Sequence, residues 1–291
     1  MMAMEKKEEE KKELEDIIKW EDVGGCHEAK TELMNLSAEL ASSALYKKWG
    51  CKPPKGILIY GPRGCGKTML VNAFAYACSF PVIPVKQSDI WTKWYGESPR
   101  NLQKYFNKAQ ALAKKHGASV LFFDEIDDIV MKRDGLHEED HKIVTTFLRN
   151  MDGLSADSGV YVIGCTNLDL TQLDPASIRA GRFDIKLCIG HPNADERTEI
   201  FRAQLEYRKR LASVKDFMNP VKYQLLGDVS EGYSGADIAE IIDRVCRKKM
   251  RDEVYLLRNS PPISQKDIVD EIDRYNKSMQ IAKQRRIGFR E

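Results

Sequence analysis

The sequence contains no apolar run that approaches the roughly 18 residues needed to cross a lipid bilayer. Its first residues, Met1 to Lys6, also lack the apolar stretch that a signal peptide requires. The seven cysteines form no CxxC pair and are odd in number, a pattern typical of reduced thiols. These absences argue against the secreted, disulfide-rich and membrane-spanning classes. We expect a cytoplasmic protein, with the nucleus as the alternative compartment.

An excess of charge of one sign is also lacking. The chain has 46 Lys and Arg residues against 44 Asp and Glu residues, a formal net charge of +2. Such a balance gives no electrostatic reason to expect a dedicated nucleic-acid or membrane binder. Hydrophobic residues make up 42% of the 291 positions, which is enough to build one large domain and one smaller domain.

The patterning of the chain predicts three segments. Residues 1–17 form a charged lead-in, because residues 5–16 contain almost nothing to bury. Residues 18–190 alternate strand-like apolar runs with helical patterns, whereas residues 191–291 carry helical patterns alone. We therefore predict a large α/β domain followed by a small helical domain.

Alternating elements define the larger domain. Helices are predicted over 67–78 and from Ser98, as the N-cap, to Gly117. Pro84 cannot donate a backbone hydrogen bond, so the strand that contains it should lie at a sheet edge. Alternation of this kind gives a mostly parallel sheet with helices on both faces. The predicted strands are 56–60, 81–85, 119–123, 160–165 and 185–189.

The smaller domain shows three helical patterns, over 195–209, over 234–251 and from Ser264 onward. Ser264 and Asp267 resemble a capping box, in which two residues at a helix start satisfy each other's backbone N–H groups.

The most informative motif runs from Gly61 to Thr68, which satisfies GxxxxGK[ST] between a predicted strand and a predicted helix. Its glycines let backbone N–H groups surround phosphate oxygens, and the helix N-terminus adds its positive dipole end. Lys67 can reach the β- and γ-phosphates of a nucleoside triphosphate, and the Thr68 hydroxyl can ligate Mg²⁺. The alternative is a glycine turn that merely connects two elements, which the strand–loop–helix context disfavours.

Two carboxylates follow the apolar run that ends at Phe123. Asp124 can hold Mg²⁺ through its water shell, and Glu125 can orient or deprotonate the attacking water. The alternative is a strand that ends in solvated acids. The predicted phosphate loop upstream, Gly61–Thr68, disfavours this alternative. Asp127 and Asp128 extend the acidic cluster, and we interpret them as capping or solvated residues. Together these motifs predict a Mg²⁺-dependent nucleoside triphosphatase.

Further motifs follow in a characteristic order, and the chain resembles one module of the AAA+ ATPase family over roughly residues 18–270. The resemblance implies a P-loop NTPase fold, a three-layer αβα arrangement around a parallel sheet, with a small C-terminal helical lid domain. It also implies ATP and Mg²⁺ as cofactors. The motifs are Trp20–Gly25, Gly61–Thr68, Lys93–Ser98, Asp124–Asp127, Met151–Gly153, Thr166–Asn167, Asp174–Asp184 and Gly232–Asp237.

The resemblance implies specific site roles. Asn167 matches the sensor that positions water near the γ-phosphate, and Arg179 and Arg182 match arginine fingers that reach the nucleotide site of a neighbouring subunit. Without the family pattern, Asn167 is a strand-end turn former and the two arginines are surface residues. The implied nucleotide-binding residues are Asp22, Gly24, Gly61, Pro62, Arg63, Gly64, Cys65, Gly66, Lys67, Thr68, Met69, Gly235 and Ala236.

Trp94 and Tyr95 match the loop that lines the central pore of a hexamer and grips an extended polypeptide. Two large aromatic residues in an exposed loop are costly unless they contact something. The alternative is that Trp94 packs into the core of its own subunit. We expect a homo-oligomer, a hexamer, that acts on a protein substrate through an adaptor or an N-terminal domain not present here.

Three features depart from the family pattern or mislead. Arg63 and Cys65 stand where the family usually has Pro and Thr, and the position of Cys65 near Lys67 favours the thiolate. We therefore expect alkylation of Cys65 to block nucleotide binding. His141-Lys142 stands where relatives often carry an Arg pair. The run 137–141 spells HExxH, but charged residues fill the positions that a zinc-protease helix would bury.

Our leading hypothesis is an ATP-driven ring that threads or disassembles protein substrates. The alternative is a nucleic-acid-associated motor or clamp-loader subunit, which the near-neutral charge and the aromatic pore loop disfavour. A nucleotide-binding scaffold without hydrolysis is disfavoured by the presence of Glu125 and Asn167.

Overall fold

The computed structural model describes residues 17–42, 44–91, 97–131, 138–155, 158–257 and 259–288. Contacts divide the chain into two compact units. The first unit contains Ile17–Trp20 and His27–Gly190, and the second contains Glu21–Cys26 together with the chain from His191. The predicted charged lead-in lies outside the described residues apart from Ile17.

The first unit is built on a five-stranded sheet in which neighbouring strands pair in parallel, in the order β2-β3-β4-β1-β5. This confirms the parallel α/β sheet predicted from the sequence. Pro84 lies on β2 and is exposed, and β2 is an edge strand as predicted. The strands are β1 (Gly56–Tyr60), β2 (Val82–Val85), β3 (Ser119–Phe123), β4 (Val160–Thr166) and β5 (Ile185–Cys188).

The helix after the phosphate loop has the predicted bounds, whereas the helix predicted from an N-cap at Ser98 already includes Glu97. Ser98 is 2% exposed and lies inside the first turn, so the helix starts two residues earlier than an N-cap at Ser98 predicts, a difference that is common at helix ends. The helices of this unit are α1 (His27–Ala41), α2 (Ala44–Trp49), α3 (Lys67–Cys78), α4 (Gln87–Ile90), α5 (Glu97–His116), α6 (Asp127–Val130) and α7 (Glu138–Gly153).

Both faces of the sheet are buried. Leu121 and Phe123 of β3 pack in one core with Phe106 of α5 and Phe147 of α7. Successive strand side chains point to opposite faces, so the buried Val120 and its counterparts on the other strands pack on the second face. Helices thus cover both sides of the sheet, which confirms the three-layer arrangement.

The second unit is helical. Its helices are α8 (Ala194–Leu211), α9 (Tyr223–Val229), α10 (Gly235–Leu256) and α11 (Gln265–Gly288), and α9 had not been predicted. Phe201, Ile242 and Ile268 lie in its buried core. Ser264 and Asp267 form the predicted capping box, because each accepts a hydrogen bond from the backbone N–H of the other.

Among the residues that the structure describes, no helix combines the length and the apolar character needed to cross a bilayer.

Candidate functional site

The strand order brings three predicted motifs together. Strands β3, β4 and β1 are neighbours, and the carboxyl ends of parallel strands meet at the same edge of the sheet. Gly61 follows β1, Asp124 follows β3 and Asn167 follows β4. The candidate site therefore lies at this edge, where α3 also begins.

The phosphate loop is tightly packed at one end and open at the other. Gly61 has a φ of 143°, and a Cβ atom added there would lie 1.9 Å from the carbonyl oxygen of Ile189. Gly66 has a φ of 91°, but among the described residues no atom outside Gly66 and its two chain neighbours lies within 4 Å of the position that its Cβ would take. Only glycine suits either backbone conformation, and the open end lies at the N-terminus of α3, where anions bind well.

Lys67 is folded into the phosphate loop and is 8% exposed. Its Nζ donates hydrogen bonds to the carbonyl oxygens of Gly61 at 2.7 Å and Pro62 at 2.8 Å, and to Asn167 Oδ1 at 2.8 Å. Burial lowers the pKa of Lys67, because it disfavours the charged form. All three acceptors are neutral, so an anionic phosphate oxygen would be a stronger acceptor than any of them.

Thr68 and Asp124 lie within reach of a common ion. Thr68 Oγ1 is 3.3 Å from Asp124 Oδ1 and 3.4 Å from Oδ2, and both residues are exposed. A hydroxyl and a carboxylate are oxygen ligands of the kind that Mg²⁺ takes while keeping several waters. The donor set therefore fits Mg²⁺ beside the phosphate loop.

Glu125 is exposed and has a left-handed backbone with a φ of 59°. This conformation costs a residue other than glycine roughly 1–3 kcal/mol, and such positions cluster at functional sites. The next residue is fixed to the neighbouring strand, because Ile126 N donates to the carbonyl oxygen of Cys165 at 2.8 Å. The main chain directly after Glu125 is therefore held by β4, while the Glu125 side chain itself is exposed.

Asn167 connects two predicted motifs. Its Oδ1 accepts from Lys67, and its backbone N–H donates to Asp127 Oδ1 at 3.2 Å. Asp127 is thus a partner of the sensor position, although the sequence suggested a capping or solvated residue.

Cys65 is 6% exposed, with its Sγ 3.7 Å from the carbonyl oxygen of Arg63. Arg63 itself is exposed. Burial works against alkylation of Cys65, because a reagent must first reach Sγ. The expected block of nucleotide binding by alkylation stays a prediction.

The two predicted arginine fingers have different surroundings. The side chain of Arg182 is 7% exposed, and its Nε and Nη2 donate to the two carboxylate oxygens of Asp152 at 2.9 and 2.7 Å. Its Nη1 donates to the carbonyl oxygen of Ala176. By contrast, 60% of the Arg179 side chain is exposed, and its Nη2 lies 3.8 Å from Asp152 Oδ2.

The Arg182 guanidinium lowers the pKa of the Asp152 carboxyl through this two-pronged hydrogen bond, and Asp152 in turn raises the pKa of Arg182. The adjacent Phe183 is fully buried and stacks on Phe147 of α7, with the ring centroids 6.1 Å apart. Arg182 and Phe183 thus anchor to α7 the loop from which Arg179 projects.

Four predicted nucleotide-binding residues belong to the second unit. Asp22 is 4% exposed and accepts a hydrogen bond from Arg210 Nη2 at 2.9 Å. A Cβ added at Gly24 would lie 2.6 Å from the backbone of Ile200 on α8. Gly235 begins α10, and Ala236 is exposed on its first turn.

Trp94 and Tyr95 of the predicted pore loop lie outside the described residues, as does His137 of the HExxH run. The sequence had not predicted the contacts of two acids: Asp127 accepts the backbone N–H of Asn167, and Asp152 binds Arg182. Asp152 belongs to the Met151–Gly153 motif, which could have drawn attention to it.

Residues 57–191 match the family model described as ATPase family associated with various cellular activities (AAA). The matched segment runs from β1 past the end of β5 and includes the phosphate loop, Asp124, Asn167 and both arginines.

Proposed function

We propose that this chain, which belongs to the AAA+ family of ATPases, couples ATP hydrolysis to the remodelling of protein substrates. In this proposal copies of the chain form a hexameric ring, and Trp94 and Tyr95 grip an extended polypeptide in the central pore. The exposed Arg179 carries the proposal, because a guanidinium presented on an anchored loop can act on the nucleotide of a neighbouring copy.

Within one copy, the residues of the phosphate loop bind the triphosphate through backbone N–H groups. Lys67 exchanges its neutral acceptors for oxygens of the β- and γ-phosphates. Glu125 orients the attacking water and accepts its proton, and Asn167 holds that water near the γ-phosphate. Mg²⁺, held by Thr68 and Asp124, would supply positive charge against the β- and γ-phosphate oxygens.

The neighbouring copy completes the site. Arg179 brings its charge to the transferred phosphoryl group, where charge develops in the transition state. Arg182 was expected to share this role. Its three hydrogen bonds within the chain favour a different one, in which it keeps the Arg179 loop in place. Hydrolysis therefore depends on assembly.

We further propose that residues 18–190 form the nucleotide-binding domain and residues 191–291 the lid domain, although the short segment Glu21–Cys26 makes its contacts within the second unit. For Asp22 and Gly24 we keep the adenine-binding role, and for Gly235 and Ala236 the lid role, that the family resemblance implies. The remaining loop residues Pro62, Gly64 and Met69 contribute to the nucleotide cradle.

The substrate class is tested by measuring ATPase activity with unfolded protein or with DNA. We expect unfolded protein to stimulate the ATPase activity of the wild type but not that of Trp94→Ala. Trp49→Ala is the matched control, because Trp49 is another tryptophan on the same unit and is 73% exposed. Stimulation by DNA alone would favour the nucleic-acid motor, and equal losses in both variants would contradict the pore-loop assignment.

A further inference from the structure

Asp127 joins the segments that carry two different site residues. It is the first residue of α6 and follows Glu125 by two positions. Its Oδ1 accepts the backbone N–H of Asn167 at 3.2 Å, across a separation of 40 positions in the chain. One carboxylate oxygen thus connects the turn after β3 with the segment after β4.

This bond extends the sheet beyond its last paired residues. The register between β3 and β4 ends at Phe123 and Gly164. Past that point, the hydrogen bond from Ile126 N to the Cys165 oxygen continues the connection through the main chain, and Asp127 adds a second one through its side chain. The two segments are therefore fixed to each other where the proposed chemistry takes place.

The contact continues from Asn167 to the phosphate loop. Asn167 receives a hydrogen bond from Lys67 at its side-chain oxygen and gives one to Asp127 from its backbone nitrogen. A shift of Asn167 would therefore change both the position of its side chain and one of the three acceptors of Lys67. Glu125 lies on the same turn as Asp127, so its distance from Asn167 depends on this bond.

A purely local role for Asp127, as an acid that stabilises the start of α6, does not account for its hydrogen bond to Asn167. An acid in the first turn of a helix typically stabilises it by about 0.3–1 kcal/mol, but α6 has a single turn and a small dipole. A half-buried backbone N–H, such as that of Asn167, needs an acceptor in any case. The partner in this bond is a neutral N–H group, so a neutral amide oxygen at the same place could also accept it.

We propose that Asp127 is a positioning residue for ATP hydrolysis, whose carboxylate oxygen holds Asn167 at a fixed distance from Glu125. The inference rests on the proposed roles of Asn167 and Glu125. Misplacement of a reacting group by about 1 Å can cost about 100-fold in rate, so loss of this bond should act on kcat.

Three variants separate position from charge. Asp127→Asn keeps an oxygen at the same place without the charge, Asp127→Glu keeps the charge but moves the oxygen, and Asp127→Ala removes both. We expect kcat of Asp127→Asn to stay within about 3-fold of wild type. In Asp127→Glu and Asp127→Ala, kcat should fall at least about 10-fold, with KM nearly unchanged. The hydrogen-exchange rate of the Asn167 backbone amide should rise in Asp127→Glu and Asp127→Ala but not in Asp127→Asn.

Asp169→Ala is the matched control, because Asp169 also accepts a backbone N–H in the same segment, but from Thr171 rather than from Asn167. It should leave both kcat and exchange at Asn167 close to wild type. Full kcat in Asp127→Ala, or equal losses in Asp127→Asn and Asp127→Glu, would overturn the positioning role. A wild-type protein without ATPase activity would instead overturn the proposed function.

Discussion

The phosphate loop (Gly61–Thr68) and the arginine loop, which carries Arg179 and Arg182, each contain a buried cation, but they hold it in different ways. Lys67 is bound by two carbonyl oxygens and an amide oxygen, whereas Arg182 is bound by both oxygens of a carboxylate. A cation paired with a carboxylate has its charge largely neutralised, but one held by neutral oxygens keeps it for an incoming anion. On this difference we base the proposal that Lys67 serves nucleotide binding, whereas Arg182 stabilises its own loop.

The same contrast exists within the arginine loop. Arg179 and Arg182 are three positions apart and face the same carboxylate, yet only Arg182 binds it with two short hydrogen bonds. Arg179 keeps most of its surface exposed. We therefore expect substitution of the two arginines to change different measured quantities.

The largest expected effect is on turnover. Arg179→Ala should lower kcat by about 1,000-fold, the lower range for loss of an arginine finger, with the thermal unfolding midpoint unchanged. Steady-state ATPase assays and thermal melts measure the two quantities. Arg100→Ala, which removes another exposed arginine of the same unit, should change neither. A large fall in the melting temperature of Arg179→Ala would remove the contrast with Arg182.

The next effect is on nucleotide binding. Lys67→Ala should weaken ATP binding at least about 100-fold, since it removes a charge-assisted contact to the phosphates. Titration with a fluorescent ATP analogue measures this loss. Lys104→Ala removes an exposed lysine of α5 and should bind normally. Unchanged affinity in Lys67→Ala would mean that the lysine is only a structural part of the loop.

A smaller effect is expected on stability. Arg182→Ala should lower the free energy of unfolding by about 2 kcal/mol, because it removes hydrogen bonds to a charged group. Denaturant unfolding of Arg182→Ala, Asp152→Ala and the double variant gives the coupling between the two residues. Additive losses in the double variant would show that the pair contributes no stability of its own.

The smallest effect is a pH dependence of the same pair. Because the folded pKa of Asp152 lies below its unfolded value, the pair stabilises the folded state above the unfolded pKa, near 3.9. That contribution is lost as the pH falls through the folded pKa. The stability difference between wild type and Asp152→Asn should therefore be constant from about pH 8 to pH 5 and shrink below about pH 4. A difference that grows on acidification would contradict the assignment.

The sequence predicts best what is decided locally. Apolar runs placed the strands, the glycine spacing placed the phosphate loop, and a capping pair placed the start of α11. The partners of Asp127 and Arg182 lie 40 and 30 positions away, and no local pattern predicts which side chain a carboxylate will meet after folding. The left-handed backbone of Glu125 was not predicted for a related reason, because the residue after it is bound to β4, a strand formed about 40 positions later in the chain.

Mixing two inactive variants tests most directly whether two copies share each site. Lys67→Ala retains Arg179, and Arg179→Ala retains the phosphate loop, so a mixed ring contains some complete interfaces. With random mixing in equal amounts, about a quarter of the interfaces are complete, and we predict about a quarter of the wild-type ATPase activity. A mixture that assembles yet stays as inactive as its components would contradict the account, as would a wild-type monomer that hydrolyses ATP at full rate.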